Sequence, residues 1–164
     1  MNIVAAVFSD WGIGLGGTQQ IVIPEDRDRF RKLTDGGVVI VGRKTFEILP
    51  GPLLNRRNIV LTRDPGFFVG GVVVSRSVDA VLSEIAGVDP DKVFVIGGAE
   101  TYRAFLPLCT RAYVTKIDMA PPSDAFFPDL DALPGWELER RSGTMEYYGI
   151  RYSLYVYLHS SKCS

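Results

Sequence analysis

Two short stretches of the chain combine glycine with the predicted start of a helix, an arrangement that suits phosphate binding. Residues 41–46 (VGRKTF) place an arginine and a lysine directly after a glycine, and residues 93–102 (VFVIGGAETY) run from an apolar strand into a glycine pair. Glycine allows a phosphate to approach the backbone closely, and a helix N-terminus offers unpaired N–H donors. Alone, each stretch is also consistent with a tight turn or a solvated pair of cations. Together they favour a phosphate-bearing nucleotide at the carboxyl ends of the strands.

A third glycine cluster, residues 12–17 (GIGLGG), formally matches the dinucleotide-binding pattern G-x-G-x-x-G. That pattern binds a pyrophosphate only where its glycines open a helix and an acidic residue ends the next strand. Here residues 18–23 (TQQIVI) are strand-like and meet Pro24, and Asp35 precedes the second predicted strand. A flexible glycine loop after the first strand is therefore favoured, with a Rossmann site as the alternative.

Short apolar runs, separated by Gly, Pro or Asp, predict the strands that must position these stretches. The predicted strands are residues 2–8, 38–41, 58–62, 72–74, 93–96, 112–117 and, as an alternating C-terminal strand, 151–158. Helices are predicted at 24–34, 44–48, 78–86 (with Ser77 as its cap) and 98–106. This alternation predicts an α/β fold with a central mixed, mostly parallel sheet, a C-terminal antiparallel hairpin and flanking helices.

Composition bounds the class of protein. The 164 residues suit a single domain, predicted over residues 1–160, with 161–164 as a disordered tail. A net charge of -1 gives no electrostatic case for nucleic-acid binding. No apolar run approaches the ~20 residues that cross a bilayer, so no membrane association is expected. Residues 1–8 are interpreted as a first strand rather than a signal peptide.

Cysteine and histidine are scarce. Cys109 and Cys163 predict neither a metal site nor a disulfide framework, and a reducing cytoplasm is the expected location. The lone His159 is expected at the surface rather than as a catalytic base.

The order and spacing of many of these residues resemble the dihydrofolate reductase family from about residue 3 to 158. The matching motifs are Ala5-Ala6, Asp10, Ile13-Gly14, Pro24 with Asp26 and Phe30, Gly42 to Thr45, Pro52-Leu53 with Arg56, Asn58 to Thr62, Ile96 to Gly98 with Tyr102, Thr115 to Asp118, and Asp124 with Phe127 to Asp129. The resemblance implies hydride transfer from NADPH to C6 of dihydrofolate, with protonation at N5, in a cleft where the two meet. It also implies antifolate inhibitors as ligands, and a monomer is expected.

The resemblance gives Asp26 the central catalytic role, with Thr115 orienting its carboxylate. An ionised carboxylate accepts paired hydrogen bonds from the 2-amino group and N3 of a pterin, while the proton reaches N5 through water. Asp26 and Phe30 are four residues apart and share a helix face. The alternatives are that Asp26, like Glu25, only interacts with the helix dipole, or that Asp28 is the inward-facing acid.

Further contacts are implied by the resemblance for substrate and cofactor. Arg56 is expected to pair with the α-carboxylate of the glutamate tail, although Arg57 lies beside it. The substrate-binding set is Val4, Ala5, Arg27, Phe30, Leu49, Leu53, Arg56 and Ile96. The nicotinamide is expected to contact Ala6, Ile13, Leu15 and Tyr102, and the adenosine 2′-phosphate to contact Arg43, Thr62 and Arg63. The remaining cofactor contacts are expected from Gly42, Lys44, Thr45, Leu61, Gly97, Gly98, Ala99, Glu100 and Thr101.

Three positions depart from the family pattern. Gln20-Ile21 stands where the family commonly has Pro-Trp, which alters the loop that closes over the site. Arg27 replaces a usually apolar residue; pointing inward, it would lower the pKa of Asp26. A cation there would also weaken the binding of small apolar antifolates such as trimethoprim. Glu100 stands where some bacterial members carry an arginine near the 2′-phosphate.

Two other functions remain compatible with the sequence. One is a related pterin or pyrimidine reductase of the same fold, such as the riboflavin-pathway reductase domain. Asp26, Phe30 and Arg56 argue against it, because a ribosylated pyrimidine needs no clamp for a carboxylate tail. The other is a nucleotide-binding homologue that has lost catalysis through the altered loop.

Overall fold

A computed structural model describes residues 1–160 and places most of the strands in one mixed sheet. The nine strands of this sheet follow the order β10-β11-β7-β1-β6-β3-β4-β5, and β9 also pairs with β11. In chain order the strands are β1 (Asn2–Phe8), β2 (Gly12–Gly14), β3 (Val38–Gly42), β4 (Arg57–Leu61), β5 (Val73–Ser75), β6 (Val93–Gly97), β7 (Arg111–Ile117), β8 (Ala125–Phe126), β9 (Trp136–Arg141), β10 (Met145–Tyr147) and β11 (Ile150–His159). The helices are α1 (Pro24–Thr34), α2 (Arg43–Ile48), α3 (Val78–Glu84) and α4 (Ala99–Phe105). The predicted α/β class and mixed sheet are confirmed.

The parallel centre of the sheet consists of strands that are buried on both faces. Four successive residues of β3, from Val38 to Val41, are at most 5% exposed. Such continuous apolar runs are typical of parallel strands covered by helices on both sides. Both ends of the sheet order are strands of three residues, β5 and β10.

The functional geometry begins where two neighbouring strands part. β1 pairs with β7 over seven positions, from Asn2 to Phe8, but pairs with β6 only at Asn2 and Ile3. Beyond these two positions β1 and β6 diverge toward their carboxyl ends. Because the chain order also reverses here, this is the position where open α/β sheets bind ligands.

The antiparallel part of the sheet is larger than the predicted hairpin. β11 pairs with β7 on one side and with β9 and β10 on the other. β9 (WELERR) was not predicted, because its residues after Trp136 are all exposed and the sequence lacks the alternation of apolar and polar residues that indicates a strand. β2 and β8 form a separate two-stranded ribbon that glycines conceal in the sequence.

The helices agree with the sequence except at their ends. Ser77 caps α3 as predicted, with its hydroxyl accepting a hydrogen bond from the Ala80 N–H at 3.1 Å. α3 ends at Glu84, two residues before the predicted end, because Ile85 leaves the helical backbone conformation (φ -100°, ψ 2°) and the Ala86 N–H donates to the Ser83 carbonyl, three residues back, at 3.4 Å. Within residues 1–160, every helix is too short or too polar to span a bilayer. The predicted tail, 161–164, lies outside the described residues.

Candidate active site

A cleft of about 1360 Å³ opens where β1 and β6 diverge, and α1, α2 and α4 contribute to its walls. Of the residues that the sequence predicts for the site, the structure brings all but two to this cleft. The exceptions are Leu15, which is 43% exposed on the loop after β2, and Arg56. The cleft therefore unites the predicted carboxylate, apolar wall and phosphate-binding stretches in one place.

Asp26 and Thr115 meet inside the cleft. Thr115 is 6% exposed on β7, and its hydroxyl donates a hydrogen bond to Asp26 Oδ1 at 2.5 Å. The strand register places Thr115 beside Ala6 of β1, directly under the first turn of α1. Asp28 is exposed and is absent from the cleft lining within the described chain, so Asp26 is the inward-facing acid.

Burial changes the acidity of this carboxyl. Removal from water raises the pKa of Asp26, because the charged form is disfavoured there. The hydrogen bond from Thr115 and the charge of Arg29 lower the same pKa and oppose part of the effect. Arg29, 3.8 Å from Asp26 Oδ1, acts where the sequence suggested Arg27, whose side chain lies exposed at the cleft.

Apolar side chains from α1 and the segment after α2 form the wall opposite the strands. Phe30, Leu49 and Leu53 line it as predicted. Asn58 fixes the segment, since its side chain accepts from the Leu53 N–H and donates to the Leu53 carbonyl, both at 2.9 Å. A flat aromatic molecule can pack on such a wall while its polar edge faces Asp26.

Arg56 stands just beyond this wall. Its guanidinium donates to Thr34 Oγ1 and to the Leu54 carbonyl, both at 3.0 Å, and its Cζ lies 5.9 Å from the centre of the Phe30 ring. These contacts hold the cation beside Phe30, just outside the cleft lining. Its neighbour Arg57 points elsewhere and pairs with Glu84.

Two helix starts face the other end of the cleft with glycine at their caps. Gly42 precedes α2 and Gly98 precedes α4. A Cβ on Gly42 would lie 2.7 Å from Thr101 Oγ1, and one on Gly98 would lie 2.8 Å from Thr45 Oγ1. Any larger residue at either position would therefore collide with a threonine hydroxyl. Glycine keeps this backbone open to a phosphate.

Cations and hydroxyls surround the same end. Arg43, Thr62, Arg63 and Arg76 line the cleft, with Thr62 8% exposed. Arg43 is engaged already, since one of its nitrogens donates to both carboxylate oxygens of Glu47 at 3.0 Å. This donor set fits a phosphate dianion, which requires both positive charge and hydrogen-bond donors. A nucleotide with phosphate groups along its length matches the cleft as a whole.

The loop between β2 and α1 forms the rim of the cleft. Gly16 and Gly17 have φ of 62° and 80°, which glycine adopts without strain. No helix follows these glycines until Pro24, so the described chain has no Rossmann pyrophosphate site here. Ile21, at the position where the family commonly has tryptophan, packs with Phe8 and its buried neighbours and is not part of the cleft lining of the described chain.

Sequence reasoning missed Arg29 and the ring contact of His159. The three-residue spacing from Asp26 to Arg29 is the signal that was available, since residues three apart are neighbours on a helix. The His159 ring is half-buried and stacks on Trp136 with the ring centroids 4.6 Å apart, a contact that the sequence did not indicate.

Known proteins of one family are similar to this chain in both sequence and structure. The family model described as dihydrofolate reductase matches residues 1–158. The dihydrofolate reductase of Neisseria meningitidis serogroup B is 36% identical over 159 residues, covering 96% of this chain and 97% of the relative. That of Bacillus subtilis is 38% identical over 144 residues, covering 85% and 84%. The structure of dihydrofolate reductase from Enterococcus faecalis complexed with NADP(H) and RAB-propyl has a TM-score of 0.84 at 29% identity, covering 98% of this chain and 96% of that one.

Proposed function

Because this chain belongs to the dihydrofolate reductase family, we propose that it reduces 7,8-dihydrofolate to 5,6,7,8-tetrahydrofolate with NADPH. The hydride goes to C6 of the pterin and the proton to N5. The observation that carries the proposal is the Asp26–Thr115 pair at the bottom of an apolar cleft, opposite a phosphate-binding end.

Asp26 holds the pterin in this proposal. Its ionised carboxylate accepts hydrogen bonds from the 2-amino group and N3, a pairing that fixes the plane of the ring. Thr115 orients the carboxylate through the hydrogen bond to Oδ1. The carboxylate also favours the protonated form of the pterin, and N5 receives its proton through water.

The cofactor would lie across the parting strands. NADPH supplies the hydride when it is bound. The nicotinamide would contact Ala6, Ile13 and Tyr102. The phosphates would accept hydrogen bonds from the N–H groups that follow Gly42 and Gly98. Thr62, Arg63 and Arg43 are the donors for the 2′-phosphate, with Arg43 sharing its charge between that group and Glu47. The remaining cleft-lining residues of the predicted cofactor set are Lys44, Thr45, Leu61, Gly97, Ala99, Glu100 and Thr101.

The tail of the substrate would run outward along α1. Phe30, Leu49 and Leu53 provide the wall for its aromatic part, and the pre-oriented guanidinium of Arg56 provides a fork for the α-carboxylate. Arg27 adds a second cation at the cleft surface. We extend the proposal to weak binding of trimethoprim-like antifolates, because an uncharged apolar ring gains little beside a solvated arginine.

Residues 1–160 act in this proposal as one domain and as a cytoplasmic monomer. A single continuous sheet carries both ends of the cleft, which supports one folding unit. Light scattering after size exclusion checks the monomer, and a mass of twice 18.1 kDa at micromolar concentration rules it out.

The test is the loss of absorbance at 340 nm with NADPH and dihydrofolate. Wild-type protein should turn over, and Asp26→Asn should lose on the order of 10²-fold or more in kcat/KM at neutral pH while still binding NADPH. Asp28→Asn, on the exposed side of the same helix, is the matched control. NADPH binding without turnover by the wild type would favour the impaired homologue. Turnover of a ribosylated pyrimidine instead of dihydrofolate would favour the related reductase.

A further inference from the structure

Arg29 occupies an unusual position for a cation. It lies one helical turn after Asp26, and one terminal guanidinium nitrogen is 3.8 Å from Asp26 Oδ1. On its other side, its Cζ is 5.7 Å from the centre of the Tyr152 ring of β11, and Tyr152 is 3% exposed. The arginine therefore fits between the carboxylate and a fixed aromatic surface, which favours a cation–π contact.

Two nitrogens of Arg29 are buried without hydrogen bonds. Nε and the nitrogen nearest Asp26 have no partner among residues 1–160, although the side chain as a whole is 36% exposed. Burying guanidinium N–H groups in this way opposes folding. A shorter or apolar residue would avoid that penalty at this position. The attraction between Arg29 and Asp26 is the interaction that offsets it, since Coulomb attraction at this distance needs no hydrogen bond.

Among residues 1–160, the other groups that pack against Asp26 carry no positive charge, and the neighbouring cation Arg27 is exposed. From β7, Thr115 contributes a neutral hydroxyl, and from β1 the residues at the cleft are Val4, Ala5 and Ala6. From β11, the Tyr152 phenol ring faces Arg29. Along α1, the side chains of Glu25, Arg27 and Asp28 are exposed. Burial raises the pKa of Asp26, and the cation that lowers this pKa is Arg29.

We propose that Arg29 is a positioning residue that keeps Asp26 ionised and aligned with Thr115, so that the carboxylate remains available to the pterin in mildly acidic solution. The inference rests on the proposed function and adds to it a residue that acts through Asp26. Arg29 need not touch the substrate for this role.

A pair of substitutions tests the charge. Arg29→Met keeps an unbranched side chain and loses the charge, while Arg29→Lys keeps the charge. The ¹³C resonance of the Asp26 carboxyl, followed against pH in the protein without ligands, should titrate at higher pH in Arg29→Met than in wild type. Arg29→Lys should titrate close to wild type. In assays on the acidic side, kcat/KM for dihydrofolate should fall by roughly two- to fivefold in Arg29→Met, the factor that a partly exposed ion pair supplies.

Salt provides a second measurement that needs no variant. Screening weakens a partly exposed pair, so raising NaCl should move the wild-type Asp26 titration to higher pH. If Arg29→Met does not fold, this salt dependence decides the question. An Asp26 titration that is the same in Arg29→Met and wild type, or that ignores salt, would overturn the inference. These titrations do not depend on turnover. Failure of the proposed function would instead appear as a wild-type protein that never reduces dihydrofolate.

Discussion

The Tyr102 hydroxyl of α4 donates a hydrogen bond of 2.8 Å to the backbone carbonyl of Val4 in β1. This bond crosses the gap where β1 and β6 have stopped pairing, so a side chain replaces the missing backbone contacts. Burial raises the pKa of Tyr102, so the phenol stays protonated and remains a donor at physiological pH.

Tyr102→Phe should therefore weaken the fold next to the proposed nicotinamide position. Loss of a buried hydrogen bond costs about 1 kcal/mol, which lowers the Tm of a chain of this length by roughly 2–4 °C. Calorimetry of Tyr102→Phe measures it, with Tyr148→Phe as the control because Tyr148 is 91% exposed. The Kd for NADPH should also rise. Equal Tm values for the two variants would contradict the prediction.

Asp26→Asn should stabilise the free protein at neutral pH while it abolishes most activity. The folded pKa of Asp26 is raised above 3.8, so between 3.8 and that higher value the folded state binds more protons than the unfolded state. The free energy of unfolding therefore falls as pH rises through this window and stays lower above it. Asparagine does not ionise, so Asp26→Asn avoids this decrease in the free energy of unfolding. The Tm of Asp26→Asn should exceed that of wild type at pH 7, and the difference should shrink as the pH approaches 4. A gap that does not depend on pH would disprove this.

Arg56→Met should affect substrate binding more than turnover. A charge-assisted fork contributes about 1.5–3 kcal/mol, so KM for dihydrofolate should rise on the order of 10- to 100-fold with kcat little changed. A dihydropterin without the glutamate tail should bind wild type and variant alike. Arg57→Met is the matched control, since that arginine pairs with Glu84. A similar effect from both variants would remove Arg56 from the proposal.

Gly42→Ala should disturb the phosphate end of the cleft by steric conflict alone. Its Cβ would lie 2.7 Å from Thr101 Oγ1, and Thr101 is 5% exposed and has little room to move. We expect a loss of about 1–3 kcal/mol in stability and weaker binding of NADPH. Fluorescence titration and thermal unfolding measure the two effects. Gly51→Ala is the control, since a Cβ there meets no atom of residues 1–160 within 4 Å.

Arg27→Leu should increase sensitivity to trimethoprim. An apolar side chain at the cleft gives the inhibitor a contact that a solvated cation denies it, and a gain of about 1.4 kcal/mol lowers Ki tenfold. Arg31→Leu makes the same change at an exposed position of α1 outside the cleft lining of the described chain. Inhibition constants for the three proteins decide the matter. Unchanged sensitivity in Arg27→Leu would refute the proposed resistance.

The local signals of the sequence predicted the parts of the fold that depend on local chemistry. Apolar runs identified β1, β3 and β6, because strands buried on both faces carry few polar residues to obscure the run; in these three strands Asn2 is the one polar side chain. The same patterns could not show β9, whose exposed charges resemble a loop, or the bend that ends α3 at Glu84. β9 depends on its pairing with β11, later in the chain, and the end of α3 depends on a local backbone geometry that residue types alone do not fix.

In the site, too, the residue types that carry local signals were predicted, and the contacts that depend on distant residues were not. The role of the glycines at positions 42 and 98 is readable from residue type and spacing, whereas the choice of Asp26 over Asp28 rested mainly on the resemblance to the family. The direction of a long side chain is not readable in this way, because it depends on what surrounds it. Arg27 and Arg29 are both arginines on one helix, yet only Arg29 lies between Asp26 and the Tyr152 ring. A ring of β11, more than 120 positions later in the chain than Asp26, decides which of the two matters.

The three-residue strands at the two ends of the sheet order have a consequence for solubility. An exposed strand edge can recruit the edge of another molecule, and long flat edges lead to aggregates. β5 and β10 are too short to offer a continuous row of free backbone groups, and beside β10 the edge continues as β9 with Glu137, Glu139, Arg140 and Arg141 exposed. Strand-by-strand growth of fibrils is therefore discouraged at both margins of the molecule.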